Sequence, residues 1–131
     1  MDTGQTRVPR ILVADDDPVV GAVLSGRLAP DFEVVAVAGD AAEAVDLAAE
    51  HAPDAAIVDV QMPGGGGLEA ARGIRRSSPR TAIVAFSADE SRQGVLDMLD
   101  AGAMTYVRKT AAHDELVKRL RAAIAAHGHL A

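Results

Sequence analysis

Five short apolar runs, each followed by a segment with helical spacing, restrict this chain to a small group of folds. The runs are Arg10–Ala14, Glu33–Val37, Ala55–Val58, Thr81–Phe86 and Met104–Val107. Each predicts a buried strand. Between them, apolar residues recur at the period of a helix. Val20, Val23, Leu24 and Leu28 mark the first helix, with Pro18 suited to its first turn and Ala29-Pro30-Asp31 breaking it. Ala41, Ala44, Val45 and Ala48 form a narrow stripe on the second, which Gly39-Asp40 opens with a turn and a cap and Pro53-Asp54 ends. Leu68, Ala71 and Ile74 mark the third helix, and Val95, Met98 and Leu99 the fourth. The last runs from about Ala112 and carries Leu116, Leu120 and Ile124.

Five rounds of strand then helix, with no linker or repeat, predict one α/β domain whose parallel sheet is covered on both faces. Right-handed crossovers leave few topologies. A length of 131 residues suits one domain. The polar stretch 1–9 is expected to be a flexible N-terminal segment, with the domain over 10–131. Phe32, Phe86 and Tyr106 are the only aromatic residues, so Val, Ile, Leu and Ala must build the core.

Bulk chemistry excludes several functions. There is no cysteine, which removes disulfides, thiolate metal sites and thiol nucleophiles. The formal net charge of -6 argues against direct nucleic-acid binding, which calls for a basic patch. No apolar run approaches membrane-spanning length and no signal peptide is visible, so a cytoplasmic protein is expected.

The chemistry is concentrated where the strands end. The first strand runs into Asp15-Asp16-Asp17, the third into Asp59, the fourth into Ser87 and the fifth into Arg108-Lys109. In open parallel sheets, ligands bind beyond the carboxyl ends of the strands, where the winding direction reverses. Strands becoming polar at the solvent would account for one or two such groups, and less well for three acids, a hydroxyl and a lysine together. If the first and third strands are neighbours, Asp15, Asp16 and Asp59 crowd, and a divalent cation relieves their repulsion. Carboxylate oxygens without His or Cys suit Mg²⁺, which favours phosphoryl substrates. A carboxylate can attack phosphorus to form an acyl phosphate. Mg²⁺, the Lys109 ammonium and the Ser87 hydroxyl can then stabilise the equatorial oxygens.

At these positions the sequence resembles the receiver domains of two-component response regulators, such as the chemotaxis response regulator. The resemblance rests on Ile11–Pro18, on Val58–Pro63 with Gly67-Leu68, on Ala85–Ala88 and on Ala101–Lys109. It covers nearly the whole chain from Arg10. It implies a flavodoxin-like (βα)5 fold, a doubly wound five-stranded parallel sheet of order 2-1-3-4-5. It implies Asp59 as phosphoacceptor, and a Mg²⁺ site made by Asp15, Asp16, Asp59 and the backbone carbonyl of Gln61, with Asp16 the direct ligand and Asp15 acting through water. Ser87 corresponds to the hydroxyl switch residue, Lys109 to the phosphate-binding lysine and Tyr106 to the aromatic that rotates with the switch. Asp17 reads as a helix cap or solvated charge, with a supporting metal role as the other reading.

The resemblance also implies a signalling switch, not a turnover enzyme. Such a switch catalyses only its own Mg²⁺-dependent phosphorylation and slow dephosphorylation. Its partners would be a sensor histidine kinase or phosphotransfer protein, and a homodimer or output protein on the face of the fourth helix, fifth strand and fifth helix, including Met104, Arg108 and Lys118. The alternative is a pseudo-receiver used only for docking, against which the full set Asp15, Asp16, Asp59, Ser87 and Lys109 argues. An aspartyl-nucleophile hydrolase is a poorer fit, because Gln61 stands where that group has a second acid. Three departures from the family pattern are visible: Thr110 replaces the proline after the lysine, Ser87 replaces the commoner threonine, and Gly64–Gly67 replaces a varied loop. No cis-proline is expected after Lys109. Four further features read as surface or loop: the four glycines as a flexible turn with no P-loop lysine, His127 and His129 as solvated, His51 and His113 as isolated surface groups, and Arg72, Arg75 and Arg76 as a solvated helix face, with an acidic partner as the other reading.

Overall fold

The computed structural model describes residues 7–62, 65–88 and 92–130, with side chains to residue 127. Pro63, Gly64, the side chain of His129 and most of the segment expected to be flexible (1–6) lie outside the described residues. The elements alternate strictly: β1 Arg10–Ala14, α1 Pro18–Leu28, β2 Glu33–Ala38, α2 Ala41–His51, β3 Ala55–Asp59, α3 Gly66–Ser77, β4 Ala82–Ser87, α4 Arg92–Ala101, β5 Ala103–Arg108 and α5 His113–Leu130. The strands form one sheet of order β2-β1-β3-β4-β5, parallel at every pairing. This is the five-stranded, flavodoxin-like architecture expected. The two half-sheets diverge at β1 and β3, so the crevice beyond their carboxyl ends is the switch point.

Strand side chains alternate between two cores, as the period of 2 requires. Leu12, Ala14, Ala56, Val58, Ile83 and Ala85 face α2, α3 and α4. Ile11, Val13, Ala55, Ile57, Val84 and Phe86 face α1 and α5, with Leu24, Leu28, Leu116 and Leu120 opposite. Small residues set the helix spacing on the first face. A Cβ on Gly73 of α3 would lie 2.3 Å from Val45 Cγ2 of α2.

Local signals explain most boundaries. Asp17 caps α1, its side chain accepting from Val19 N, with Pro18 at the first helical position. Asp40 caps α2 by accepting from Glu43 N at 2.8 Å. Several expectations need adjustment. Thr81 precedes β4, because its hydroxyl donates to Pro53 O at 2.8 Å and bonds Ser78 Oγ at 2.7 Å. Val23 and Leu99 are on the expected helices but 46% and 42% exposed, outside the buried stripes. The one cis peptide bond among the described residues is Ala29–Pro30; Lys109–Thr110 is trans. His127 is half-buried, its Nε2 lying 2.7 Å from Pro79 O, and is not a solvated tail residue. His51 is half-buried too, its carbonyl accepting from Arg10 Nη1. No helix among the described residues is long and apolar enough to cross a membrane.

Candidate phosphoacceptor site

The sheet register delivers the site. Ala14 pairs with Val58, so Asp15 and Asp59 leave adjacent strands side by side. Asp59 pairs with Phe86, which places Ser87 one residue further along β4. Ser87 pairs with Arg108 and accepts from Lys109 N at 2.8 Å. Oxygens of Asp15, Asp16 and Asp59 lie within 4.8 Å of one another. Asp15, Asp59 and Ser87 are buried, with Asp15 only 2% exposed, while Asp16 and Gln61 reach the surface.

Backbone donors fix the two buried carboxylates. Asp15 Oδ1 accepts from Asp17 N at 2.9 Å, and Asp59 Oδ1 accepts from Gln61 N at 3.1 Å. Their other oxygens face Lys109, whose Nζ lies 2.7 Å from Asp15 Oδ2 and 3.2 Å from Asp59 Oδ2. The 2.7 Å contact is short enough for a hydrogen bond but not aligned as one: Asp15 Oδ2 is buried without a hydrogen-bond partner. It is held by charge. The Lys109 stem passes the Phe86 ring, with Nζ 5.9 Å from its centroid.

Burial and charge move two titrations. Asp59 keeps its proton to higher pH than an ordinary carboxyl. Burial is the largest cause and the charge of Asp15 adds to it, while the Gln61 N–H and Lys109 pull the other way. For Lys109, burial works against the charged form, but its approach to Asp15 and the charge of Asp59 outweigh it, and its pKa is raised.

This donor set fits a hard divalent cation. It consists of three carboxylates, no sulfur or imidazole, and one buried oxygen lacking a directed partner. One lysine cannot neutralise three acids. Asp17 is spent on the cap of α1, and its backbone N–H on Asp15.

Two participants were not legible from side-chain chemistry. Gly67 carries part of the resemblance and reads as part of a glycine turn, with no contact at the site assigned to it. Its N–H donates to Val60 O at 3.0 Å, and a Cβ there would lie 2.5 Å from Asp59 O and 2.9 Å from Val60 Cα. The start of α3 therefore rests directly on the backbone at the end of β3. The signal was a glycine where a helix begins, with no turn needing it. Phe86, given no site role by the sequence, is part of the α1–α5 core and also flanks the lysine. Tyr106 is half-buried on β5, packed against the α2–α4 core.

Comparison with known proteins agrees. The response regulator receiver domain family matches residues 11–121. The chain is 41% identical over 113 residues to response regulator MprA of Mycobacterium sp. (strain KMS), covering 86% of this chain and 49% of that protein. It thus spans about half the length of the curated relatives it matches. Among solved structures, a LuxR-family two-component response regulator from Aurantimonas sp. superposes with a TM-score of 0.84 at 35% identity, covering 92% of this chain and 87% of the other. The receiver domain of a Pseudomonas aeruginosa sensor histidine kinase superposes with a TM-score of 0.80 at 28% identity, covering 91% and 99%, and carries a magnesium ion in its active-site cleft. With the acidic crevice at the switch point, the lysine across it and a family match spanning the sheet and its helices, this chain belongs to the response regulator receiver domain family.

Proposed function

We propose that this receiver domain takes a phosphoryl group on Asp59 from a sensor histidine kinase or phosphotransfer protein and changes conformation to control an output. The observation that carries the reading is the Lys109 ammonium lying between the buried carboxylates of Asp15 and Asp59. Among the described residues, Asp59 is the only acid placed next to both the lysine and the end of β4.

The transfer balances simply. A carboxylate oxygen of Asp59 forms a bond to phosphorus as the bond from phosphorus to the donor's imidazole nitrogen breaks, and the imidazole leaves with the electron pair. Asp15, Asp16, Asp59 and the Gln61 carbonyl would hold Mg²⁺, which supplies charge stabilisation for the phosphoryl oxygens. Lys109 then exchanges its carboxylate contacts for a phosphoryl oxygen, and Ser87 donates its hydroxyl to another. The acyl phosphate hydrolyses slowly, so the domain acts as a switch and not as a turnover enzyme. The output surface is the face of α4, β5 and α5, where an output protein or a second copy docks.

Acetyl phosphate with Mg²⁺ tests the assignment. Intact mass should rise by one phosphoryl group, and Asp59→Asn should abolish the rise. Equal labelling of the variant would move the acceptor elsewhere. No labelling of the wild type would leave the docking-only reading standing.

A further inference from the structure

Lys109 works across two strand spacings. It follows the end of β5, whereas Asp59 ends β3, and β4 lies between them. Neighbouring strands are about 4.8 Å apart, so the two backbones are separated by roughly 10 Å. The side chain that β4 presents on that face at that level therefore lies along the path of the lysine stem. The register makes it Phe86. Asp59 pairs with Phe86, and Phe86 pairs with Val107, two residues before Lys109 and so on the same face of the sheet.

We propose that Phe86 is a positioning residue for phosphoryl transfer, its ring holding the Lys109 ammonium over the acceptor carboxylate. This role rests on Asp59 being the phosphoacceptor. Lys109 Nζ sits over the Phe86 ring, 5.9 Å from its centroid, while it lies 3.2 Å from Asp59 Oδ2 and 2.7 Å from Asp15 Oδ2. The cation thus has a π face on one side and the carboxylates on the other, at a separation where a ring quadrupole attracts a positive charge. The ring is itself immobile, 5% exposed and packed in the α1–α5 core.

The surroundings give the lysine somewhere else to go. Phe86 and Lys109 border an apolar cleft of about 190 Å³, walled by Val19, Val20 and Val23 of α1. A lysine stem is flexible and rich in rotamers. With a smaller aliphatic residue in place of the ring, the cleft widens and the stem can fold against the valines, away from the acids. Leucine would fill much of the core volume but supplies no π face. If Phe86 were only a core residue, its loss would weaken the fold equally with or without the lysine.

The test has three arms on the full chain. In the Mg²⁺-free protein, the ε-methylene protons of Lys109 should resonate upfield of those of Lys118, the other lysine of the chain and an exposed one, and Phe86→Leu should remove the difference. In equilibrium unfolding, a cycle of Phe86→Leu, Lys109→Met and the double variant should show the two side chains coupled by about fivefold in the folding constant. In acetyl phosphate labelling with Mg²⁺, well below the unfolding transition, Phe86→Leu should slow phosphorylation of Asp59 by about fivefold, and Phe86→Tyr, which keeps the ring, should stay within about twofold of the wild type. Additive losses in the cycle, no upfield shift in the wild type, a Phe86→Leu that labels at the wild-type rate, or a folded Phe86→Tyr as slow as Phe86→Leu would each overturn the proposal. With the wild type labelling normally, those outcomes remove the role of Phe86 alone. A wild type that does not label at all would overturn the phosphoacceptor reading, and the ring's part in transfer with it.

Discussion

The residues of the acidic crevice are in mutual conflict, and that conflict makes testable statements about stability. Asp59 has its pKa raised in the folded state. Between its unfolded and folded pKa, the native state binds more protons than the unfolded one, so stability falls as pH rises through that window. Above it, the full cost of the buried carboxylate is present. Asp59→Asn should therefore stabilise the Mg²⁺-free protein at neutral pH by about 0.5–2 kcal/mol, the usual gain when a strained functional group is removed. The gain should shrink as pH falls toward the ordinary carboxyl range. A denaturation series against pH with a constant or growing gain at low pH would contradict this. Lys109→Ala should do the reverse. Removing one partner of a fully buried pair costs about 3–5 kcal/mol. The Lys109 side chain is 22% exposed, so about 1–3 kcal/mol is expected. Because Mg²⁺ can stand in for the lost charge, it should raise the Tm of Lys109→Ala more than that of the wild type. Equal shifts would mean that the cation does not share the oxygens Lys109 now faces. The acids, the serine and the lysine were visible in the sequence because charge ending an apolar strand is conspicuous. The packing role of Gly67 was not, because it consists in having no Cβ where Asp59 O approaches.

At the scale of elements, the sequence was most readable where a cap or a proline writes the boundary. Asp17-Pro18 and Asp40 place the starts of α1 and α2 without ambiguity. The end of α2 shows what such signals miss. Pro53-Asp54 was expected to end the helix, and the last helical residue is His51, but the cap itself is Ala52, which adopts φ 44° and donates its N–H to Ala48 O. That left-handed position normally takes glycine, and alanine there gave no signal. Tertiary bonds hold it: Asp54 N donates to Arg10 O, and Arg10 N donates to Asp54 Oδ2 at 2.7 Å. Ala52→Gly should therefore stabilise the fold. Relief of the Cβ conflict is worth roughly 1–2 kcal/mol, offset by roughly 0.4–1 kcal/mol of added freedom in the unfolded chain. A net gain of about 0.5–1 kcal/mol should appear as a higher denaturant midpoint at unchanged slope. The exposed positions of Val23 and Leu99 have another cause. Helical spacing identifies a stripe, but how much of it the sheet covers depends on helix tilt and on the partner strand, which periodicity does not contain.

For the molecule as a whole, the question is which part is free to respond when Asp59 is charged. The two sides of the edge strand β5 are not held alike. On α5, Arg121 lies 5.1 Å from the Phe32 ring centroid and 3.7 Å from Asp31, and His127 reaches Pro79 O. On α4, only Met98 and Ala101 are buried, while Leu96 is 51% exposed. A conformational change should therefore fall on α4, β5 and the first turns of α5, and spare the end of α5. The proposed link to the site is Ser87, buried at the end of β4 with its carbonyl bonded to Lys109 N, while Tyr106 sits half-buried opposite Ala85. If the Ser87 hydroxyl moves onto a phosphoryl oxygen, the space it leaves lets Tyr106 turn inward. A hydrogen bond to a charged group contributes about 1.5–3 kcal/mol, which is roughly tenfold to hundredfold in the balance of two conformers. Ser87→Ala should thus leave Asp59 able to accept phosphate while the active conformer loses that factor. The measurement is an amide and aromatic NMR comparison with and without beryllofluoride, a mimic of the phosphoryl group. In the wild type, Tyr106, β5 and α4 should shift together with the residues around Asp59. In Ser87→Ala, the shifts should contract to the immediate surroundings of Asp59. Wild-type shifts confined to those surroundings would make Tyr106 an ordinary core-edge aromatic and would remove the coupling from the mechanism.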